Sequence, residues 1–391
     1  MPPKILVVDD EPDLEVMIRQ RFRKQIREDE IRFEFAQNGV QALNRLDADP
    51  SITVILSDIN MPEMDGLTLL QKVGERNNPG IKSVIISAYG DMENIRTAMN
   101  RGAFDFLTKP INFADLDVTV QKTMQQLELI QQAVKMRDEL VAVQRDLSTA
   151  TQIQQSLLPK VFPPFPDSPE IDIYAEMLTA KEVGGDFYDF YFIDKDRLAV
   201  TVGDVSGKGI PAAIYMAVSR TLLKAIASQI VNPGEVLRKL NTMLIAESDT
   251  PTFVTIFYGV LNIHTGELQY SNGGHNLPYH VRPSGEIEQL PLSDGTLLGK
   301  FSHIDFETRK LRLDKGDTLF IYTDGVSEAM DPEMNMYHES RLESYLRSTG
   351  GSALQELVRG SIADLKKHTR DAAQSDDITV LSLRYFGRNG S

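Results

Sequence analysis

Residues 202–209 read VGDVSGKG: a short apolar run, an aspartate, and a glycine-rich turn. Related patterns occur at VGGDFYDF (183–190), LFIYTDGVSE (319–328) and SDDITVLSL (375–383). They supply four carboxylates, Asp204, Asp186, Asp324 and Asp376, most beside a strand-like run and next to Gly or a second Asp. Tight turns at strand ends can bring such side chains together. Hard oxygen donors without nearby Cys or paired His suit Mg²⁺ or Mn²⁺ rather than zinc. A pair of such ions is the chemistry that makes hydroxide from water and attacks a phosphate.

Around these motifs, residues 159–391 mix strands and helices. Ile171–Met177, Leu198–Gly203, Val254–Leu261, Leu268–Ser271 and Thr318–Tyr322 read as strands. Pro211–Ser228, Pro233–Ala246 and Leu354–Lys366 read as helices. Strands around grouped helices predict an α+β sandwich for this part of the chain.

Residues 1–125 have a different grammar. Ile5–Val8, Thr53–Ser57 and Val84–Ser87 are buried-strand runs, alternating with helical periods at Val40–Leu46, Leu67–Val73 and Ile95–Arg101. That alternation predicts an α/β, flavodoxin-like, doubly wound parallel sheet with its site at the carboxyl ends of the strands. Those ends carry Asp9 and Asp10, Asp58, Ser87 and Lys109. Packed carboxylates can hold one Mg²⁺ and ease phosphoryl transfer to a carboxylate, while a lysine and a hydroxyl hold the phosphoryl oxygens.

Between the two halves, Leu116–Leu158 contains neither Gly nor Pro. Val120, Thr123, Leu127, Ile130 and Val134 form one apolar series, and Met136, Leu140, Val143, Leu147, Ala150, Gln154 and Leu157 another in a different phase. The break near Val134–Met136 predicts a helical hairpin or a coiled coil with a discontinuity over 126–158. Such a segment pairs with a second copy or folds back on a domain.

Composition bounds the rest. With 41% hydrophobic and 25% charged residues over 391 positions, two or three ordinary globular domains are expected. The net charge of −15 disfavours nonspecific nucleic-acid binding. Zero Cys removes thiolate chemistry and fits a reducing compartment. No signal-like amino terminus and no apolar run of about 18 residues is apparent, so a cytoplasmic protein without membrane association is expected.

Two resemblances follow from these motifs. LVVDDEPD (6–13), LSDINMPEMDG (56–66), VIIS (84–87) and LTKP (107–110) resemble the response-regulator receiver domain across residues 4–125. The resemblance implies Asp58 as phosphoacceptor, Asp9 and Asp10 with Asp58 and the Asn60 carbonyl as Mg²⁺ ligands, Ser87 as switch hydroxyl and Lys109 as phosphate contact. Phe106 stands at the switch position where many receivers have Tyr, leaving a rotamer switch to packing alone. A sensor histidine kinase or phosphotransfer protein would be the partner.

VGGDFYDF, GDVSGKGIPAA, SNGGHN, YTDGVSEA and DDITV, with ATQIQQSLLP before them, resemble PP2C-type serine/threonine phosphatases of the RsbU and SpoIIE group over 148–385. That family implies a β-sandwich flanked by helices around two Mn²⁺ or Mg²⁺ ions. Asp204 would bridge the ions with the Val205 carbonyl as a further ligand; Asp186 would bind one ion, and Asp324 and Asp376 the other. Asp377, where many relatives carry Asn, is expected in a second shell or on a third ion. Gly184, Gly185, Gly203 and Gly325 are expected to let the backbone turn closely around hydrated ions. A metal-bound water, its pKa lowered toward about 7, would attack phosphoserine or phosphothreonine in line. The leaving group's proton would come from a metal-bound water or from His275.

Together the resemblances imply a two-component effector whose substrate is a phosphorylated anti-sigma-factor antagonist of the STAS type, in a partner-switching pathway, with a homodimer formed through the connector. The alternative from another class is a catalytically weak adaptor that binds or sequesters a regulatory partner.

Overall fold

The computed structural model describes residues 2–247 and 251–387. They form two compact units that meet in sequence between Val143 and Gln144.

The first unit is a five-stranded parallel sheet in the order β2-β1-β3-β4-β5. Its strands are β1 (Lys4–Val8), β2 (Arg32–Ala36), β3 (Ile52–Asp58), β4 (Lys82–Ala88) and β5 (Asp105–Lys109). Alternate residues feed opposite faces. Ile5, Val7, Val54, Leu56, Val84 and Ile86 share a core with Leu14 and Ile18 of α1 (Pro12–Arg21), a helix followed by the short α2 (Arg23–Arg27). Leu6, Val8 and Ile55 face α3 (Gly39–Ala48) and α4 (Gly66–Glu75). Side chains set the starts of these last two helices: Asn38 accepts from the Gln41 N–H at 2.9 Å and Asp65 from the Thr68 N–H at 2.6 Å. α5 (Met92–Asn100) and the start of α6 (Phe113–Leu157) complete the unit.

Because α6 is one continuous helix, the expected hairpin is not formed. The change of apolar phase near Val134 turns the exposed stripe around the helix, and without Gly or Pro nothing interrupts the backbone hydrogen bonds. Leu116, Val120 and Leu127 enter the first unit's core. Leu129, Val134, Met136, Leu140, Val141 and Val143 are exposed farther along.

The second unit stacks two antiparallel five-stranded sheets, as the α+β sandwich requires. One sheet, ordered β13-β10-β9-β8-β7, uses β7 (Phe187–Phe192), β8 (Arg197–Val205), β9 (Val254–Asn262), β10 (Glu267–Gly273) and β13 (Arg309–Arg312). The other, ordered β12-β11-β14-β15-β6, uses β6 (Ile171–Leu178), β11 (Tyr279–Val281), β12 (Ile287–Gln289), β14 (Thr318–Tyr322) and β15 (Ile378–Tyr385).

Val200, Val202 and Phe257 of the first sheet share a core with Leu319, Ile321 and Leu381 of the second. α7 (Ile210–Ala227) and α8 (Pro233–Glu247) cover one outer face; α10 (Glu339–Thr349) and α11 (Leu354–Thr369) cover the other, and α9 (Asp324–Ser327) is a single turn after β14. Among the described residues α7 alone is long and apolar enough to cross a membrane by length and composition. Here Ala212, Met216, Leu223 and Ala227 pack it onto the core.

Candidate active sites

At the carboxyl edge of the parallel sheet, register decides which side chains meet. Val8 pairs with Ser57, Asp58 with Ile86 and Ser87 with Thr108, so Asp9, Asp58, Ser87 and Lys109 arrive at one rim. Ligand oxygens of Asp9, Asp10 and Asp58 lie within 4.8 Å of one another, the only such acidic group among the described residues. Their spacing and oxygen chemistry fit one divalent cation.

Lys109 Nζ lies 2.9 Å from Asp58 and 3.0 Å from Asp9. Burial alone would discourage charge on Lys109, but its hydrogen bonds to Asp58 and Asp9 outweigh that and hold the ammonium more firmly protonated. Burial raises the Asp9 carboxyl against the pull of the Glu11 N–H and Lys109. Gly66 is required here, since a Cβ would come within 2.0 Å of the Asp58 carbonyl. Ser87 is fully buried, its hydroxyl 3.4 Å from Asp91; Phe106 is turned outward and Asn60 is exposed just past β3.

In the second unit, Asp204 near the end of β8 is the centre of the acidic group. Asp186 precedes β7, Asp324 follows β14 and Asp376 precedes β15, so both sheets contribute. Asp204 is within hydrogen-bonding reach of Asp186; burial, and then the charges of Asp324 and Asp376, push its carboxyl up to about 7. Burial drives Asp186 well above the usual carboxylate range, reinforced by Asp204 and Asp377. Asp324 is raised by burial, Glu328 and Asp376. No three of these carboxylates close to the single-ion spacing seen in the first unit. As a donor set of mutually repelling carboxylates, Asp186 buried and the others partly so, they fit divalent cations.

Hydrogen bonds fix Asp186. Its Oδ2 accepts from Thr379 Oγ1 at 2.6 Å and from Thr323 Oγ1 at 2.8 Å. Both threonines are fully buried, and neither figured among the sequence candidates. Their signal was position: Thr323 directly precedes Asp324, and Thr379 shares a strand face with Asp377.

Asp377 is turned toward backbone amides. Its Oδ1 accepts from the Ala180 N–H at 2.8 Å, and its Oδ2 from the Gly185 N–H at 2.7 Å and the Asp186 N–H at 3.4 Å. The carboxylate is occupied in holding the loop that carries Asp186. At the four glycines, protein fills the space beside the backbone. A Cβ on Gly184 would meet the Asp377 carboxylate, on Gly185 the Val205 carbonyl, on Gly203 the Phe187 ring and on Gly325 the Asp377 carbonyl.

Two further side chains complete the surroundings. Lys208 Nζ sits 3.2 Å from Asp376 Oδ2 and donates to the Ser375 carbonyl. His275 is buried, with Nδ1 3.0 Å from the hydroxyl of Thr255, the residue paired with Asp204 across β8 and β9. Burial lowers the imidazole to about 4, so it is neutral near pH 7. A neutral buried imidazole is poorly suited to protonate a leaving group.

Known proteins agree with both halves. Residues 5–121 match the family described as the response regulator receiver domain, and residues 194–386 the family of stage II sporulation protein E (SpoIIE). Phosphoserine phosphatase RsbU of Bacillus subtilis is 28% identical over 62% of this chain and 70% of its own length. Protein IcfG of Synechocystis sp. is 30% identical over 61% of this chain, which spans only 41% of that relative.

The SiaA-PP2C domain of Pseudomonas aeruginosa has a TM-score of 0.57 at 20% identity, covering 63% of this chain and 98% of that one, a likeness of fold. The RsbU and RsbW domains of a Mycobacterium tuberculosis protein reach 0.50 at 27% identity over 57% of this chain and 62% of theirs. Residues 5–121 thus belong to the response regulator receiver family and residues 194–386 to the SpoIIE family, with the fold of the SiaA-PP2C domain in the second unit.

Proposed function

We propose that this protein is a two-component effector in which phosphorylation of Asp58 controls a metal-dependent phosphoprotein serine/threonine phosphatase. The observation that carries the reading is the gathering of Asp186, Asp324 and Asp376 around half-buried Asp204, whose carboxyl is pushed up to about 7. Mutual repulsion of this kind opposes folding and is relieved by cations. Asp204, the Val205 carbonyl, Asp186, Asp324 and Asp376 would hold two Mn²⁺ or Mg²⁺ ions, and Asp9, Asp10, Asp58 and the Asn60 carbonyl one Mg²⁺. Bound there, the ions would supply the positive charge that neutralises phosphoryl oxygens and makes water acidic enough to attack.

The chain's own groups do the positioning. Thr323 and Thr379 aim Asp186, Asp377 holds its loop, and His275 supports the strand pair that carries Asp204. Lys208, beside Asp376, places an ammonium where an incoming phosphate monoester needs one. In the receiver, Lys109 bridges Asp58 and Asp9 and is placed to hold a phosphoryl group on Asp58.

The phosphoryl source is a sensor histidine kinase or phosphotransfer protein. RsbU and RsbP of Bacillus subtilis, named as phosphoserine phosphatases, support the assignment of activity. The substrate assigned is a phosphorylated anti-sigma-factor antagonist of the STAS type, acted on in the cytoplasm without direct nucleic-acid binding. Exposed Leu129, Val134, Met136, Leu140 and Val143 on α6 support a homodimer formed through that helix.

The test is phosphate release from a phosphoserine protein with Mn²⁺, with and without acetyl phosphate, using wild type and Asp58→Asn. The reading expects turnover that acetyl phosphate changes only in wild type. Absence of turnover, or an equal response in the variant, would contradict it.

A further inference from the structure

The last turns of α6 do more than reach the second unit's core. Gln154 is 5% exposed, and its side-chain amide pairs with both backbone groups of a single residue. Nε2 donates to the Gly184 carbonyl at 2.6 Å, while Oε1 accepts from the Gly184 N–H at 3.1 Å, so one side chain holds the two peptide units that flank Gly184. Three residues earlier on the helix, Thr151 Oγ1 donates to the Glu182 carbonyl at 2.7 Å. Residues 182–184 lead directly into Asp186, and no helix or strand lies between them.

The loop bearing Asp186 is therefore gripped from two directions. Asp377 holds the Gly185 and Asp186 amides from just before β15, and Gln154 holds Gly184 from the connector. The space is tight: a Cβ on Gly184 would come within 2.1 Å of the Asp377 carboxylate, so the peptide cannot shift toward that side. If Gln154 withdrew, the Gly184 N–H and C=O would be left buried without their partners, and the loop would have to move to water. Leu158, next in the chain after α6, packs in the second unit's core and fixes the helix end by a separate, apolar contact.

We propose that Gln154 is a positioning residue for Asp186: docking of the last turns of α6 sets the loop that presents this carboxylate to a divalent cation. The proposal rests on the reading of Asp186 as a cation ligand and names the contact through which the connector acts on it. The same unbroken helix begins among core residues of the receiver.

The test compares Gln154→Ala, Gln154→Glu and Leu158→Ala in the full chain. Each also carries Asp10→Asn to silence the receiver's cation site. Calorimetric titration with Mn²⁺ is run beside hydrolysis of p-nitrophenyl phosphate at low and saturating Mn²⁺, with Tm recorded. Gln154→Ala is expected to weaken Mn²⁺ binding about tenfold, within the roughly 10–100-fold range for residues that orient metal ligands. Its activity should be lost at low Mn²⁺ and largely recovered at saturation.

Gln154→Glu keeps the acceptor for the Gly184 N–H but loses the donor, and should fall between. Leu158→Ala should lower Tm without changing Mn²⁺ affinity. Unchanged affinity in both Gln154 variants, or an equal loss in Leu158→Ala, would overturn the proposal. A parent protein that takes up no Mn²⁺ would instead overturn the phosphatase reading beneath it.

Discussion

Thr379 and Asp186 are joined by a 2.6 Å hydrogen bond between strands of different sheets, and the carboxylate oxygen that accepts it also accepts from Thr323. Thr379 lies on β15 and Asp186 at the entry to β7, so the contact ties the two sheets together beside Asp204. Thr379→Val keeps the shape and removes the donor. It is expected to destabilise the protein by about 1–3 kcal/mol, as for a buried acceptor losing a partner. Urea unfolding measures this, and Mn²⁺ calorimetry should show weaker binding in the same variant.

Asp204 gives the cation-free protein a pH dependence whose sign is fixed. Its folded-state carboxyl titrates near 7, above the ordinary value of 3.8, so the native state keeps a proton that the unfolded chain has released. Stability without cations falls as pH rises through about 4 to 7 and then levels off. Asp204→Asn removes the penalty. At pH 8 in chelator the variant should melt at least roughly 3 °C above wild type, taking about 2–4 °C per kcal/mol for a domain of this size. Mn²⁺ should stabilise wild type far more than the variant.

His275 is expected to act through position, not proton transfer. Burial holds the imidazole near 4, so its protonation does not shape activity between pH 6 and 9. His275→Gln should lower kcat severalfold through looser support of Thr255 and leave the pH profile of kcat in place. Loss of a basic limb from that profile would assign His275 an acid's role.

At the receiver, Asp58→Asn should abolish acetyl-phosphate labelling, read by intact-mass spectrometry with Mg²⁺ present. Lys109→Ala should still be labelled, with altered lifetime of the phosphoryl group. The lysine contacts the carboxylate and is not the acceptor.

These residues also show what was legible in the chain. Asp9, Asp58 and Lys109 could be placed from sequence because parallel strands deliver their ends to one rim. Asp204 and Asp324 were visible where apolar strands run into Asp and Gly. The amides that Asp377 holds were not legible, because they belong to a loop far away in sequence that folds back to offer the Ala180 and Gly185 N–H groups. Gln154 appeared as one member of an apolar series and within ATQIQQSLLP, and its partner is the Gly184 backbone, which no side-chain pattern marks. β7 passed unassigned because its FYDFYF run adjoins the Asp186 motif, and α10 because its sequence is largely polar.

The most direct test of the central claim is calorimetric titration of Mn²⁺ into the Asp10→Asn protein with and without Asp204→Asn. Saturable uptake that Asp204→Asn abolishes or weakens by at least about tenfold is the predicted result. No uptake, or the same uptake in both proteins, would contradict a cation site built on Asp204.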